Sequence, residues 1–469
     1  MFRKLSSDTF FLILIVGIIL VLGLPRISMP GFWDEPKVYL KPLFALYEDF
    51  FGYFQASLTN THRPPGVHFL YLPFLWIFGP HMEVIRLLNL VYFSAGLICF
   101  YKVFSREDKI LAKITLTFAI LTPIFQVYSV QYVGEPQLFF LISLYLYLLI
   151  FHLERSLLIF FAGMFLGFSR ETTLALIPAA GVMLYLSGKR GKAILPILGP
   201  LFGCSLYWLF TYVKTGGIFS HLTIDAGHID IWREPFQRLM KVRQTLLAPY
   251  RLIPLILCSV IFFIAGKSWK RPAPLTAFVV ILFVSFVFVF SGHEHGIPRY
   301  FYAAFPFGVY LLLKPMKIFM STPKKSLGMI LLILLPPLLI GNPTRKIPGP
   351  FYAFQGYQDT WDHLSILRLH EEVISEVKSN WPQGSVVMTS WPFLEMLKLN
   401  HGGYGARVEY VLTMEPLSGD LPDVFLFTDF PQQLSEEDLK TVMESKRYRE
   451  RIFSFKDYHL RLFEKVAPR

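Results

Sequence analysis

What most constrains this chain is a repeating pattern of about eleven apolar runs, most of which approach the roughly 17 to 25 residues that a membrane-spanning helix needs. They occupy residues 8–25, 84–103, 110–129, 136–152, 156–169, 172–187, 192–213, 249–266, 272–291, 297–313 and 326–342. Backbone inside hydrocarbon has to satisfy its own hydrogen bonds, so runs of this kind fold as helices. Composition agrees: 54% of the 469 residues are hydrophobic, 17% are aromatic and only 17% are charged, with a mean hydropathy of +0.47. That is too few polar groups to cover a water-soluble surface. The expected fold class is a polytopic α-helical membrane protein. The run at 67–78 follows Pro64-Pro65 and is too short to span, which suits an interfacial or re-entrant piece.

The formal net charge of +12 does not point to nucleic acid, because Lys and Arg fall in short clusters between apolar runs. If 67–78 does not span, four clusters alternate onto one side: Lys102, Arg106, Lys109 and Lys113; Lys189, Arg190 and Lys192; Lys267, Lys270 and Arg271; and Lys314, Lys317, Lys324 and Lys325. An excess of Lys and Arg marks cytoplasmic loops, so that side is expected to be cytoplasmic. Met1-Phe2-Arg3-Lys4 precedes the first run and no small-residue cleavage site follows it, which predicts an uncleaved first span with its N-terminus in the cytoplasm. Cys99, Cys204 and Cys258 all lie in apolar runs and read as small core hydrophobes, with no disulfide or zinc-finger spacing.

An odd number of spans puts the C-terminal segment outside. Residues 343–469 have the composition of a water-soluble domain of ordinary size. Helical periodicity at 360–379 and β-like runs at 385–389, 409–412, 423–428 and 458–463, with a charged helix at 435–445, predict a small extracytoplasmic α/β domain. The expected organisation is a transmembrane catalytic part at 1–342, with a first outer loop at 25–83 carrying interfacial helices, followed by that domain.

Four polar constellations then share the outer face. Trp33-Asp34-Glu35 follows the first span; a carboxylate is the usual base for drawing a proton from a hydroxyl, although an Asp-Glu pair also reads as a solvated loop or helix-start charge. Glu135, in Gly134-Glu135-Pro136, alone reads as the cap of the next helix. His221, Asp225 and His228 stand at i, i+4 and i+7, the ligand types and face that would suit a divalent cation, but Gly216, Gly217 and Gly227 weaken a helix there and a His that touches substrate is the competing reading. The fourth is Ser291-Gly292-His293-Glu294-His295-Gly296-Ile297-Pro298-Arg299-Tyr300-Phe301. Its Arg299 can clamp a phosphate or snorkel to headgroups, and its His spacing is not that of a metalloprotease.

This order of parts resembles the GT-C superfamily of polyprenyl-phosphate-sugar-dependent glycosyltransferases, especially protein O-mannosyltransferases and lipid A aminoarabinose transferases. The resemblance covers residues 1–315. It rests on the acidic pair Asp34-Glu35, the His62-Arg63-Pro64-Pro65 stretch running to Tyr71, the basic loop Lys102 to Lys113, Glu135, and Arg299-Tyr300-Phe301 followed by Pro306. His293 and His295 are similar to a His-rich stretch in the mannosyltransferases that build lipid-linked glycans. Two departures stand out: many relatives carry Asp, often Thr-Asp-Ala, where this chain has Gly134-Glu135-Pro136, and Lys commonly precedes the prolines where this chain has His62-Arg63.

The resemblance implies a single inverting displacement on the outer face, with Asp34 as general base, Glu35 beside it and Glu135 orienting the acceptor or stabilising the site. It implies that Arg63 and Arg299 bind the lipid-linked phosphate, with His62, His293, His295 and Tyr300 near the substrate, and that His221 or His228 contacts substrate or a cation. The implied partners are a polyprenyl-phosphate sugar, the bilayer, and a glycan, lipid or protein acceptor; the implied setting is a cell envelope, with the bacterial inner membrane expected. A lipid or solute transporter and a polysaccharide ligase or polymerase are the alternatives. The transporter predicts charges within spans and paired halves, neither of which the sequence displays clearly.

Overall fold

The computed structural model describes residues 6–28, 35–55, 65–189, 191, 194–215, 273–291, 302–314, 363–381, 387–389, 424–428, 448–455 and 458–466. Helix α1 is Ser7–Gly23, and Leu24–Arg26 extends it as a 3-10 turn. Its N-cap Ser6 accepts a hydrogen bond from the Thr9 amide at 3.2 Å. A π-helical turn, Glu35–Leu40, leads into four short helices: α2 (Lys41–Glu48), α3 (Phe50–Gln55), α4 (Gly66–Phe69) and α5 (Leu72–Phe78). The 67–78 run is thus two helices of 4 and 7 residues, each too short to span.

Long helices follow: α6 (Met82–Phe104), α7 (Lys109–Leu121), α8 (Pro123–Tyr128), α9 (Glu135–Phe151), α10 (Ser156–Ser169), α11 (Leu176–Leu186) and α12 (Ile194–Thr215). After these come α13 (Pro274–Ser291) and α14 (Phe305–Leu313). Among the described residues, 3 helices are long and apolar enough to cross a membrane, Ser7–Arg26, Met82–Phe104 and Ile194–Tyr212. Glu135–Phe151, Ser156–Ser169, Thr172–Leu186 and Pro274–Phe286 are apolar but shorter. Leu87, Val91 and Ile98 on α6 and Leu157, Leu158 and Phe161 on α10 face outward, as lipid-facing side chains of an integral membrane protein do.

Two expected spans are not single helices. The 110–129 run breaks where Thr122, extended ahead of Pro123, ends α7 and Pro123 starts α8. The 172–187 run starts as a 3-10 turn, Glu171–Ala175, before α11. The 297–313 run is described from Tyr302 and is helical from Phe305. The 249–266 and 326–342 runs lie outside the described residues.

The core joins α6, α8, α9 and α14 through aromatic contacts: Phe125 stacks on Tyr302 at 4.2 Å, Phe93 meets Phe139 at 5.8 Å and Phe104 meets Tyr310 at 4.3 Å between ring centres. Helices α10 and α12 approach backbone to backbone. A Cβ on Gly167 would strike the Pro200 carbonyl, and one on Gly203 would strike that of Met164.

Ion pairs gather at the two ends of the bundle. At one end Lys109 and Lys113 each reach Asp8 at 2.9 Å, and Lys314 reaches Glu107 at 2.7 Å. At the opposite end lie Glu35, Arg86, Glu135 and Arg170.

The C-terminal described segments are helix α15 (His363–Asn380) and strands β1 (Val387–Thr389), β2 (Val424–Thr428), β3 (Tyr448–Phe455) and β4 (Tyr458–Lys465), in sheet order β1-β2-β4-β3. β1 and β2 are parallel, while β4 runs antiparallel to both β2 and β3. Helix α15 buries Leu369, His370, Val373, Ile374 and Val377, an i, i+3, i+4 stripe. The helix and three of the predicted strands appear, and β3 is an addition. The 409–412 run and the 435–445 helix lie outside the described residues.

Candidate active site

The loop at 129–134 joins α8 to α9 and collects two carboxylates from distant parts of the chain. Gly134 ends it at φ 82°, a left-handed conformation that side chains rarely adopt, and a Cβ there would lie 3.1 Å from the Tyr39 ring. The chain then enters α9 with Glu135, followed by Pro136, whose missing N–H costs nothing in a first turn. A carboxylate at a helix start is favoured by the helix dipole, so capping accounts for part of its placement. The rest is an ion pair: Arg170 Nη1 donates to Glu135 Oε1 at 3.1 Å, while Glu135 Oε2 is buried without a hydrogen-bond partner.

Glu35 starts the π-helical turn and is fully buried. The Tyr132 amide donates to its Oε1 at 2.9 Å, and Arg86 Nη2 donates to its Oε2 at 3.0 Å. Arg86 Nη1 also donates to the carbonyls of Arg26 at 3.1 Å and Ile27 at 3.4 Å, where α1 ends. Arg26 in turn donates to the Gln126 carbonyl at 3.1 Å, and Gln126 Nε2 to the Ile120 carbonyl at 2.8 Å. The chain of bonds ties the end of α1, the start of α6 and the α7–α8 break to one carboxylate. A buried ion pair is tolerable only when its remaining donors and acceptors are largely met, and backbone carbonyls and the Tyr132 amide meet part of that demand here.

Neutral polar groups brace the loop from below. Tyr71, Asn89 and Gln137 hydrogen-bond one another, Asn89 Nδ2 donates to the Val130 carbonyl at 2.8 Å, and His68 Nδ1 bonds the Tyr132 hydroxyl. The rings of Tyr71 and Tyr132 meet edge to face at 4.6 Å. Burial pushes both phenols well above their ordinary range, so they act as neutral hydrogen-bonding groups.

Of the residues singled out in the sequence, Glu35 is thus bonded to the Tyr132 amide within the loop, and Glu135 directly follows the loop. Asp34, His62, Arg63, His221, Asp225, His228, His293, His295, Arg299 and Tyr300 lie outside the described residues. Among the described residues, no group of three or more His, Cys, Asp or Glu side chains could hold a metal ion.

No family model matches the chain, and no curated protein matches it. Solved structures do. ArnT from Cupriavidus metallidurans bound to undecaprenyl phosphate superposes with a TM-score of 0.58 at 13% identity, covering 98% of this chain and 99% of that one. The apo state of the same protein gives 0.59 at 12% identity, covering 99% of this chain and 100% of that one. The chain has the ArnT fold. At such low identity the likeness to ArnT rests on the arrangement of helices over nearly the whole length of both chains.

Sequence reasoning missed Arg86, Arg170 and the His68, Tyr71, Asn89, Gln137 and Tyr132 network, none of which depends on the likeness to ArnT for its geometry. Arg86 was legible as a charge inside the apolar run at 84–103, which a hydropathy average conceals. Arg170 was legible in Ser169-Arg170-Glu171, the polar break between two apolar runs. The backbone acceptors and the Tyr132 amide carry no sequence signal.

Proposed function

We propose that the protein is a GT-C-type membrane glycosyltransferase that moves a sugar from a polyprenyl-phosphate-linked donor to an acceptor hydroxyl. The observation that carries this is the buried Glu35, held by the Tyr132 amide in the loop that leads into Glu135, in a chain with the ArnT fold. ArnT in that fold binds undecaprenyl phosphate, which suits a donor of this class.

Asp34 is the base. It directly precedes Glu35 in the sequence. Glu35 already carries Arg86 and the Tyr132 amide, which leaves Asp34 as the acid of the pair for proton transfer. The acceptor hydroxyl gives its proton to Asp34 and its oxygen attacks the anomeric carbon. The bond to the phosphate oxygen breaks on the opposite side, inverting the centre, and the polyprenyl phosphate leaves with the electron pair. Arg63 and Arg299 stabilise the departing phosphate, with His62, His293, His295 and Tyr300 around the sugar and His221 or His228 contacting the substrate. Glu135 orients the acceptor.

The proposal places this end of the bundle on the extracytoplasmic face of a bacterial inner membrane and the lysine-bearing end in the cytoplasm, the arrangement that an excess of Lys and Arg in cytoplasmic loops favours. Eleven spans in residues 1–342 and an outer α/β domain at 343–469 complete it, with that domain helping to select a glycan, lipid or protein acceptor. Arg86, a charge near the start of a long helix, does not favour a transport pathway, because its terminal nitrogens are engaged by Glu35 and two carbonyls.

Membranes containing the protein, incubated with labelled polyprenyl-phosphate sugars, should pass label to an acceptor, and Asp34→Asn should abolish transfer while the protein stays in the membrane. An active Asp34→Asn enzyme removes the base assignment. Absence of transfer from every such donor removes the reading, and transfer only from preassembled pyrophosphate-linked glycans makes the protein a ligase.

A further inference from the structure

The loop at 129–134 is buried at every position, although a connection normally turns its backbone polar groups to water. Protein groups take the place of water here. Asn89 Nδ2 donates to the Val130 carbonyl at 2.8 Å, and the Tyr132 amide donates to Glu35 Oε1 at 2.9 Å. Tyr132 is engaged through three different parts. Its amide meets Glu35, its ring meets Tyr39 at 5.9 Å and Tyr71 at 4.6 Å, and its hydroxyl bonds His68 Nδ1. Both partners of that last bond are buried.

The hydroxyl contact joins stretches that are otherwise far apart in the chain. Glu35 follows Asp34, while His68 lies in α4, three residues beyond Pro65 and five beyond Arg63. Helix α4 has 4 residues, too few to hold a place by itself, so its neighbours decide where it sits. Three contacts do so. A Cβ on Gly66 would lie 2.6 Å from the Phe168 carbonyl oxygen, the Tyr92 hydroxyl donates to the Leu70 carbonyl at 2.6 Å, and His68 bonds Tyr132. Of these three, only the last reaches the loop that holds Glu35. Leu and Phe at the two positions would bury similar surface without desolvating polar atoms; a hydrogen bond adds direction, which apolar packing lacks.

We propose that Tyr132 is a positioning residue. Its hydroxyl, through His68, sets α4 against the loop that holds Glu35, and so aligns the Asp34-Glu35 acids with the stretch that carries Arg63. What the alignment serves rests on the functional reading above; the alignment itself rests on the hydrogen bonds.

Two measurements on the full-length protein in lipid nanodiscs test it. The first is amide exchange. Tyr132→Phe keeps the amide and the ring and removes the hydroxyl, and it should speed exchange at 129–134 and 66–71 by about threefold to tenfold, the worth of one hydrogen bond. Adding Tyr132→Phe to His68→Leu should change nothing further, because the bond is already gone. His68→Asn, whose amide nitrogen can stand where Nδ1 stands, should restore part of the protection. Tyr92→Phe removes a phenol bond to the end of the same short helix and should leave 129–134 unchanged. Unaltered exchange in Tyr132→Phe, equal acceleration by Tyr92→Phe, or full additivity with His68→Leu overturns the proposal.

The second is sugar transfer from labelled undecaprenyl-phosphate donors. Tyr132→Phe should lower kcat by about tenfold while the donor KM stays within about twofold, and His68→Asn should lose less than His68→Leu. A raised KM with kcat unchanged, or a loss that only follows the amount of folded protein, overturns the positioning role. A wild type that transfers nothing overturns the functional reading, and amide exchange still decides whether the bond aligns α4 with the loop.

Discussion

Glu35 shows how much of a candidate site is scaffolding. Its carboxylate is fully buried and its charge is met by Arg86 at 3.0 Å, so removing either partner leaves an uncompensated ion in a low-dielectric interior. Arg86→Met should therefore destabilise the protein by about 3–5 kcal/mol, whereas Glu35→Leu with Arg86→Met should recover most of that loss. Unfolding in mixed micelles would measure both, and a single variant as stable as the double would show that the pair does not hold the loop. At this scale the sequence exposed the acids and concealed their partners. Asp34-Glu35 and Glu135 stood out because acids are scarce near apolar runs. Arg86 vanished into such a run, and Tyr132 contributes a backbone amide that no residue identity announces.

Elements were more legible, because helix ends are written in local chemistry. Pro136 after Glu135 marks the start of α9, and Asp108, accepting from the amides of Ile110 and Leu111 at 3.0 Å each, marks that of α7. Pro123 breaks the 110–129 run in the structure, but the unbroken apolar character of that run conceals the break in the sequence. Strand β3 escaped because Arg449, Glu450 and Arg451 give Tyr448–Phe455 the look of a solvated tail; its pairing with β4 supplies the reason to be a strand. The contact between α10 and α12 carries its own prediction. Gly203→Ala places a methyl into the Met164 carbonyl and should cost about 1–3 kcal/mol, whereas at Gly181 a Cβ would sit 3.4 Å from Ile197 Cδ1, an ordinary contact, and Gly181→Ala should be neutral or mildly stabilising. Thermal midpoints of the two variants in the same detergent check this, and equal midpoints would mean that the helices separate without loss.

For the molecule as a whole, the helical bundle and the C-terminal sheet should answer differently to acid. Burial against the sheet pushes the His370 imidazole from 6.5 down to about 3. Above pH 6.5 neither the folded nor the unfolded side chain carries a proton, and the group contributes no pH dependence. Between about 6.5 and about 3 only the unfolded chain takes one up, so stability falls as pH falls through that window. Amide exchange in β2 and β4 should accelerate relative to the bundle when pH drops from neutral to 5, after correction for intrinsic rates, and His370→Leu should flatten the response. Unchanged protection in the wild type would contradict it. The likeness to ArnT over 98% of the chain also belongs at this scale, because it depends on helix order and length, which tolerate wholesale replacement of the residues between.

The anchors of Glu35 have a consequence for biosynthesis. Arg86 lies 51 residues downstream and the Tyr132 amide 97. A growing polypeptide that has delivered its first hydrophobic segment to the bilayer must hold that carboxylate without Arg86 until the second begins, and without the Tyr132 amide until the third has been made. The contacts of Glu35 are therefore complete only when the stretch before Glu135 arrives, which makes their closure a late and cooperative event in the making of the protein.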